Sequence, residues 1–352
     1  MARPQIVKLH KMRNKRGWLA CVLCVIVIAG VAFLRQCRET GESTYIRNEG
    51  MVFHTIYHFT YEAQEDYQSQ IEAELQRFDA SLSPFNPASV ISRFNRNDTS
   101  VVADAWFETV FNRSREIWRD TGGAFDPTVS PLINAWGFGF KTGEPVTPEA
   151  VDSLWHLVGM ERMALVDGRL HKDDPRMTLN FSAIAKGYAV DVVASFLRSK
   201  GVENFLVEIG GEIVARGKND RGETWRVGID TPDEANVAGG EIEAVLLLDN
   251  AALATSGNYR NFRVVDGRRV AHTIDPATGY PVQHSLLSAT VLAPDCMTAD
   301  AYATAFMVLG VEKSLDIAAR NPGIEAYLIY AVDSATTSVA MTPGMKQYLF
   351  GE

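Results

Sequence analysis

The sequence has few cysteines, and their placement excludes a fold held together by disulfides. Of its four cysteines, Cys21, Cys24 and Cys37 lie within the first 37 residues, which leaves Cys296 as the single thiol in the rest of the chain. A domain with one thiol forms no internal disulfide. Stability must therefore come from a hydrophobic core, which a chain of 352 residues with 46% hydrophobic residues can supply.

Acidic residues are absent from residues 1–38, which contain eight basic ones. The remainder holds 26 basic and 43 acidic residues, a net charge of −17. Nucleic-acid binding requires a basic surface, so this body is not expected to bind nucleic acid. An anionic ligand would instead need a helix N-terminus, a few well-placed basic side chains or a metal ion.

Residues 17–34 form an apolar run without a charge, and six basic residues precede it. Its length and charge asymmetry predict a signal anchor, with the N-terminus in the cytoplasm and the body outside. A cleaved signal peptide and a lipid on Cys37 are the alternatives. Arg35 and Gln36 stand where a lipidation site has small residues, which favours the anchor. We therefore expect residues 1–38 to be a basic segment with an anchor and residues 39–352 to be one exported domain.

Hydrophobic periodicity in this body predicts a mixture of helices and strands. The predicted helices are 66–81, 90–94, 105–120, 148–157, 182–200, 298–309 and 312–320. The predicted strands are 51–61, one beginning at residue 177, 204–209, 212–216, 224–229, 243–248, 262–265, 286–292, 325–330 and 338–341. Consecutive strands followed by paired helices predict an α+β fold with largely antiparallel sheets in several layers.

Three glycine-containing segments suggest chemistry, and each also has a purely structural interpretation. Residues 122–128 (GGAFDPT) combine a helix end with an Asp-Pro turn. Residues 182–188 (SAIAKGY) begin a helix with Ser182 as the expected N-cap, and their small side chains would let a ligand approach the backbone. Residues 208–212 (EIGGE) place two glycines between strands, as in a hairpin turn.

Three later segments carry the side chains best suited to catalysis. His272 comes just before an Asp-Pro and a Thr-Gly turn, and residues 255–260 (TSGNYR) form either a turn or a phosphate-binding loop. Asp300 and Thr304 are four residues apart, so their oxygens lie on one helical face. Together with carbonyl and phosphate oxygens they would suit Mg²⁺, although an Asp and a Thr near a helix start also serve as caps.

In this order, the segments resemble the ApbE family, the FAD:protein FMN transferases. The matching sequences are GM at 50–51, SLSPFNPASVISRFN at 81–95, GGAFDPTVSPLINAWGFG at 122–139, NFSAIAKGYAVD at 180–191, VEIGGEI at 207–213, TSGNYRNF at 255–262, HTIDPATGYPV at 272–282 and TADAYATAFMVLG at 298–310. They cover nearly all of residues 50–350.

The resemblance implies a T-fold-related α+β enzyme on the periplasmic side of the inner membrane. The implied reaction is Mg²⁺-dependent cleavage of FAD, with transfer of FMN through a phosphoester to a Thr or Ser of a partner protein. That partner would be a subunit of a membrane redox complex, and AMP would be the other product.

The resemblance also implies a site, residue by residue. The metal ligands fall on Asp300, Thr304 and the carbonyl of Ala183. The flavin contacts fall on Met51, Phe85, Ala124, Phe125, Asp126, Asn180, Lys186 and Ile274. Phe85 and Asn180 stand where some relatives have Tyr and Asp. His272 and Asp300 are the candidate catalytic residues, with His272 as either a general base or a phosphate contact.

Two other functions use the same site. An FAD pyrophosphatase would let water replace the protein hydroxyl. A non-catalytic FAD-binding exported protein would store or deliver the flavin, but simple flavin binding needs no metal, so the Asp300 and Thr304 pair argues against it.

Overall fold

One eight-stranded sheet organises the body in the computed structural model, which describes residues 44–138, 146–232, 240–258, 262–265, 268–333 and 336–351, with backbone alone for 262–265 and 268–270. The strands are β1 Thr44–Val52, β2 Thr55–Ala63, β3 Met163–Val166, β4 Arg169–Lys172, β5 Phe205–Ile209, β6 Glu212–Arg216, β7 Trp225–Asp230, β8 Ile242–Leu248, β9 Ala251–Gly257, β10 Phe262–Val265, β11 Arg268–Ala271, β12 Leu286–Ala293, β13 Glu325–Ala331 and β14 Thr337–Met341. The large sheet has the order β1-β2-β5-β6-β9-β12-β13-β14, and three two-stranded sheets pair β3 with β4, β7 with β8 and β10 with β11. From β2 to β14 every neighbouring pair in the large sheet is antiparallel.

The α-helices that the structure describes lie between and after these strands. They are α1 Gln68–Leu82, α2 Val90–Asn95, α3 Ala105–Asp120, α4 Ser130–Ala135, α5 Pro148–Trp155, α6 Ala185–Ser199, α7 Cys296–Leu309 and α8 Val311–Arg320, with 3₁₀ turns at Met160–Arg162 and Pro343–Tyr348. Among the described residues, no helix is long and apolar enough to cross a membrane. The anchor predicted within residues 1–38 lies outside this part of the chain.

The large sheet is covered on both faces, which makes the fold multi-layered. Helices α6 and α7 pack against strands β5, β6, β9 and β12, and their buried side chains join the larger core. On the opposite face, the β7–β8 ribbon and the last 3₁₀ turn enclose a second core. The alternation of β6 shows both faces: Ile213 and Ala215 enter the second core, whereas Val214 packs against the first. The predicted α+β class with largely antiparallel sheets is confirmed.

Helices α6 and α7 hold each other's N-termini through two carboxylates. Asp191 of α6 accepts hydrogen bonds from the amides of Cys296 (2.9 Å) and Met297 (2.8 Å) at the start of α7. In return, Asp300 Oδ2 of α7 accepts from the amide of Gly187 in the first turn of α6, at 3.0 Å. Each carboxylate satisfies amides that a helix start leaves unpaired and interacts favourably with the helix dipole.

This reciprocal capping requires a very close approach, and Gly187 permits it. A Cβ built on Gly187 would lie 2.8 Å from the Asp300 Cβ and closer still to the Cys296 carbonyl oxygen. The small residues at the start of α6 were expected to admit a ligand. The structure shows that Gly187 admits the neighbouring helix.

The single strand predicted over 51–61 is wrong, because the chain reverses there. Strands β1 and β2 are joined by Phe53 and His54, both with positive φ (51° and 62°). Such φ values usually mark Gly or Asn in hairpin turns. An aromatic and a histidine in the middle of a β-prone run therefore conceal the turn from a sequence-based prediction.

The strand predicted to begin at Met177 is also wrong. Met177, Leu179 and Phe181 are all buried, which reproduces the alternation of a strand. However, the side chain of Asn95 takes the place of a partner strand, since it binds both the amide and the carbonyl of Leu179 at 2.8 Å. Burial alternation without a partner strand gives an extended segment outside any sheet.

Two local assignments also change. Helix α6 begins at Ala185 with Ile184 at the N-cap position, so Ser182 is not the N-cap. Residues Thr255–Gly257, expected in a turn or a loop, are the last residues of β9 and pair with β12.

We predict that Gly187→Ala destabilises the protein, although Ala is intrinsically the better helix former by about 1 kcal/mol. The added methyl group must displace the start of α7, and overpacking of this kind costs about 1–3 kcal/mol. Urea unfolding followed by circular dichroism measures the change in free energy. Ser195→Ala, on the exposed side of α6, is the matched control and should be close to neutral. A stabilised Gly187→Ala variant would show that the close helix contact is not present.

Candidate active site

The Asp300 side chain reaches the start of α6, just after Ala183 in the chain. Ala183 lies outside α6, which begins at Ala185, and a helix start leaves the amide of Gly187 without a helical acceptor. Here it donates to Asp300 Oδ2, and among the described backbone amides none donates to Ala183. The Ala183 carbonyl therefore has no backbone donor in the described part of the chain and is available to another partner, close in sequence to the amide that binds the buried Asp300 carboxylate.

Lys186 joins this cluster together with a residue that the sequence did not single out as functional. Its ammonium forms an ion pair with Glu212 Oε1, at the start of β6. Glu212 is 2% exposed and Asp300 3%, whereas the Lys186 side chain is one-third exposed. Glu212 Oε2 accepts no hydrogen bond from any residue that the structure describes. The one ammonium is thus paired with Glu212 and is also attracted by the second buried carboxylate, Asp300.

The pKa values of the cluster reflect this shortage of positive charge. Burial raises the pKa of Asp300, although Lys186 and the Gly187 amide oppose the change. Burial likewise raises the pKa of Glu212 to about 7, with Lys186 opposing and Asp300 reinforcing the shift. For Lys186, burial disfavours the ammonium, but the carboxylates of Glu212 and Asp300 outweigh burial and raise its pKa. The ammonium is therefore charged at neutral pH while the carboxylates compete for it.

The donor set at this point suits Mg²⁺. It offers a carboxylate in an environment that disfavours uncompensated negative charge, a carbonyl without a helical donor and a hydroxyl one turn further along α7. These are hard oxygen ligands, which Mg²⁺ prefers. No group of three or more His, Cys, Asp or Glu side chains suited to a metal lies within the described ranges. A cation held by Asp300 would also bind oxygens of its substrate, as Mg²⁺ does in phosphoryl-transfer sites.

A line of polar contacts connects Thr304 with the segment that carries His272. The Thr304 and Ser256 hydroxyls are 3.3 Å apart. Two residues further along, Asn258 Oδ1 accepts a hydrogen bond of 2.6 Å from the hydroxyl of Thr273, next to His272. The end of β9 thus links the predicted metal face of α7 to the predicted base.

Ile274 and the turns around it fix the position of this segment. Ile274 is buried with Leu132 and Val151 and pairs with Pro281 across the loop. Asp275 forms the expected turn, in which its backbone carbonyl accepts a hydrogen bond of 2.8 Å from the amide of Gly279. The His272 ring lies beside Phe138, with ring centroids 6.3 Å apart. His272 therefore lies on a loop whose position is fixed by these contacts.

Residues 124–126 and Asn180 lie next to each other. Ala124, Phe125 and Asp126 are all buried, and the amide of Asn180 donates to the Pro127 carbonyl at 2.8 Å. Asp126 Oδ1 accepts from the amide and hydroxyl of Thr128 at 2.8 and 2.6 Å, and Oδ2 accepts from the amide of Met160 at 3.2 Å. The Asp126 carboxylate therefore holds the loop, and a flavin contact from this segment stays a prediction.

Met51 and Phe85 form the most open part of the predicted site. They are 76% and 56% exposed, and the Phe85 ring lies 4.9 Å from the His54 ring at the β1–β2 turn. This hairpin adjoins the β5–β6 turn, where a Cβ on Gly210 would lie 2.8 Å from Thr55 Oγ1. Two exposed apolar side chains thus lie at and near the β1–β2 hairpin, on the side of the sheet order that leads through β5 to Glu212 at the start of β6, and such side chains suit contact with a planar ring.

The contacts at this site also involve Glu212, Ser256 and Asn258, which the sequence does not identify individually as candidate site residues. Glu212 stands beside a glycine pair that a hairpin turn explains fully. Ser256 and Asn258 lie in a segment with two open interpretations. The burial of Glu212 directly after a two-residue turn becomes known only from the structure, because charged residues beside turns normally face solvent.

Comparison with known proteins adds independent evidence. The model of the ApbE family matches residues 53–328. The FAD:protein FMN transferase of Haemophilus influenzae is 37% identical over 326 residues, which is 88% of this chain and 93% of that protein. The structure of the flavin transferase ApbE from Vibrio cholerae has a TM-score of 0.79 at 34% identity and covers 87% of this chain and 100% of that one. The apo crystal structure of the Pseudomonas stutzeri flavinyl transferase ApbE has a TM-score of 0.77 at 31% identity and covers 87% and 97%.

Proposed function

Because the chain belongs to the ApbE family and is an FAD:protein FMN transferase, we propose that it attaches FMN to a Thr or Ser hydroxyl of a partner protein in a Mg²⁺-dependent reaction that releases AMP. The observation that carries the proposal is the buried Asp300 carboxylate bound to the start of α6, close in sequence to the charged Lys186 and to Ala183, whose carbonyl has no described backbone donor. This combination suits a pyrophosphate with its cation better than it suits an isolated flavin ring.

The charges of substrate and protein explain why a cation belongs in the reaction. The pyrophosphate of FAD is anionic, and the body of the protein carries a net charge of −17. Bound Mg²⁺ would neutralise phosphate charge and polarise the scissile P–O bond. Asp300, Thr304 and the Ala183 carbonyl would hold it, and Lys186 would add its own positive charge to the phosphates.

In the proposed transfer step, the acceptor hydroxyl oxygen attacks the phosphorus on the FMN side of the pyrophosphate. A new P–O bond joins FMN to the acceptor, the bridging P–O bond breaks, and AMP leaves with the bridging oxygen. The hydroxyl must lose its proton, and in this proposal His272 accepts it as a general base. Water in place of the hydroxyl would give pyrophosphatase activity, with free FMN as the product.

The N-terminal run suggests where the reaction takes place. We propose that it anchors the body at the periplasmic face of the inner membrane, where the acceptor would be a subunit of a membrane redox complex. Protease added to spheroplasts should then digest the body of the chain. Full protection of the body would contradict this location.

The reaction is tested by mass spectrometry of a candidate acceptor after incubation with FAD and Mg²⁺. We expect the acceptor to gain the mass of FMN on a Thr or Ser and AMP to appear in equal amount. Asp300→Asn should lower the rate at least about 100-fold, because loss of a charged ligand removes several kcal/mol of charge stabilisation. Asp316→Asn, an exposed acid on α8, is the control and should leave the rate unchanged. AMP and free FMN without modified acceptor would support the pyrophosphatase instead.

The role of His272 is tested in the same assay. A general base contributes typically about 10²–10⁴-fold to the rate, so His272→Gln should lower the transfer rate by that order at saturating FAD. If only the affinity for FAD falls and the saturated rate is unchanged, His272 contacts phosphate and another group accepts the proton.

A further inference from the structure

Glu212 is the buried acid with the least explained surroundings. Three carboxylates are buried among the described residues: Asp126, Glu212 and Asp300. Asp126 accepts hydrogen bonds from three donors, and Asp300 accepts the Gly187 amide. Glu212 pairs only with Lys186 and leaves its second oxygen without a partner in this part of the chain. None of the metal or flavin contacts implied by the family falls on it.

The backbone fixes Glu212 firmly. It is the first residue of β6, opposite Ile209 of β5, directly after the Gly210-Gly211 turn. Strand β6 lies in the interior of the large sheet, between β5 and β9. A side chain on an inner strand is placed more rigidly than one on a loop, as a positioning role requires.

Stability does not explain this ion pair. Burying a carboxylate is costly, and an ion pair repays the cost only when its remaining oxygens are also satisfied. Glu212 Oε2 is not satisfied in this way. Replacing such pairs with apolar residues is often neutral or stabilising. The pair therefore points to a role beyond the folding of the hairpin.

The neighbouring cation site supplies that role. A divalent cation at Asp300 would repel the ammonium of Lys186, because both positive groups must approach the same pyrophosphate. The Lys186 side chain is one-third exposed and has room to move away into solvent. Glu212, fixed beneath it on β6, provides the opposing attraction.

We propose that Glu212 is a positioning residue for FAD binding: its carboxylate holds the Lys186 ammonium beside the cation at Asp300, so that both positive groups face the pyrophosphate of FAD. Glu212 acts entirely through Lys186 and does not contact FAD. The inference rests on the proposed function in that FAD with Mg²⁺ is the ligand.

The test is a double-mutant cycle on FAD binding, measured by isothermal titration of the full-length protein with FAD and Mg²⁺ and without acceptor. Glu212→Gln and Lys186→Met should each weaken binding by about tenfold, which corresponds to about 1.4 kcal/mol. Because Glu212 acts through Lys186, the variant with both substitutions should bind FAD within about twofold of Lys186→Met alone. Losses that multiply to about a hundredfold would show that Glu212 acts independently, and would overturn the proposal.

Two further variants keep the result interpretable. Glu208→Gln removes a more exposed acid from the same hairpin, one paired with His58, and should bind FAD like the parent. If Glu212→Gln does not fold, Glu212→Asp keeps the charge on a shorter side chain, and the cycle is repeated with it. A parent protein that binds no FAD with Mg²⁺ would contradict the proposed function. If the parent binds FAD but the losses from the two single substitutions multiply in the double variant, only the proposed role of Glu212 is contradicted.

Discussion

The reciprocal capping of α6 and α7 is the constraint on which the rest of the site depends. Asp191 binds the first amides of α7, and Asp300 binds the Gly187 amide in the first turn of α6. The second bond ties the buried Asp300 carboxylate to the start of α6, a few residues after Ala183, whose carbonyl accepts no hydrogen bond from a described backbone amide. Asp300 and the Ala183 carbonyl supply two of the three oxygens that we assign to the cation.

Charge balance connects this contact to the chemistry. The body is strongly acidic, yet its candidate site must receive a pyrophosphate. Two buried carboxylates and one ammonium leave the cluster short of positive charge, which a divalent cation can supply. Acidic residues alone would repel an anionic substrate, but in this account the buried ones bind the cation that accompanies it. Lys186 and Glu212 then determine where the remaining positive charge lies.

Sequence reasoning predicted the elements that rest on local signals, and it failed where tertiary contacts decide. Helix α3 and strand β6 have the predicted bounds, because amphipathic periodicity and the Gly-Gly turn are local features. The turn at Phe53-His54 packs against a neighbouring helix through Phe78, and the extended segment at Leu179 is bound by the side chain of Asn95. Hydrophobic periodicity reports neither of these tertiary contacts. In the site, the spacing of Asp300 and Thr304 was visible in the sequence. The pairing of Glu212 with Lys186 depends on the proximity of β6 and α6 in the fold, which the sequence does not report.

The central claim is that a cation binds between Asp300 and the Ala183 carbonyl, and anomalous X-ray scattering tests it most directly. Crystals grown with FAD and Mn²⁺ in place of Mg²⁺ would be measured at the manganese absorption edge. The account predicts an anomalous peak within about 2.0–2.4 Å of an Asp300 carboxylate oxygen and of the Ala183 carbonyl oxygen, distances typical of hard cations. Ordered FAD without a peak at these two atoms, or with its peak elsewhere on the protein, would contradict it.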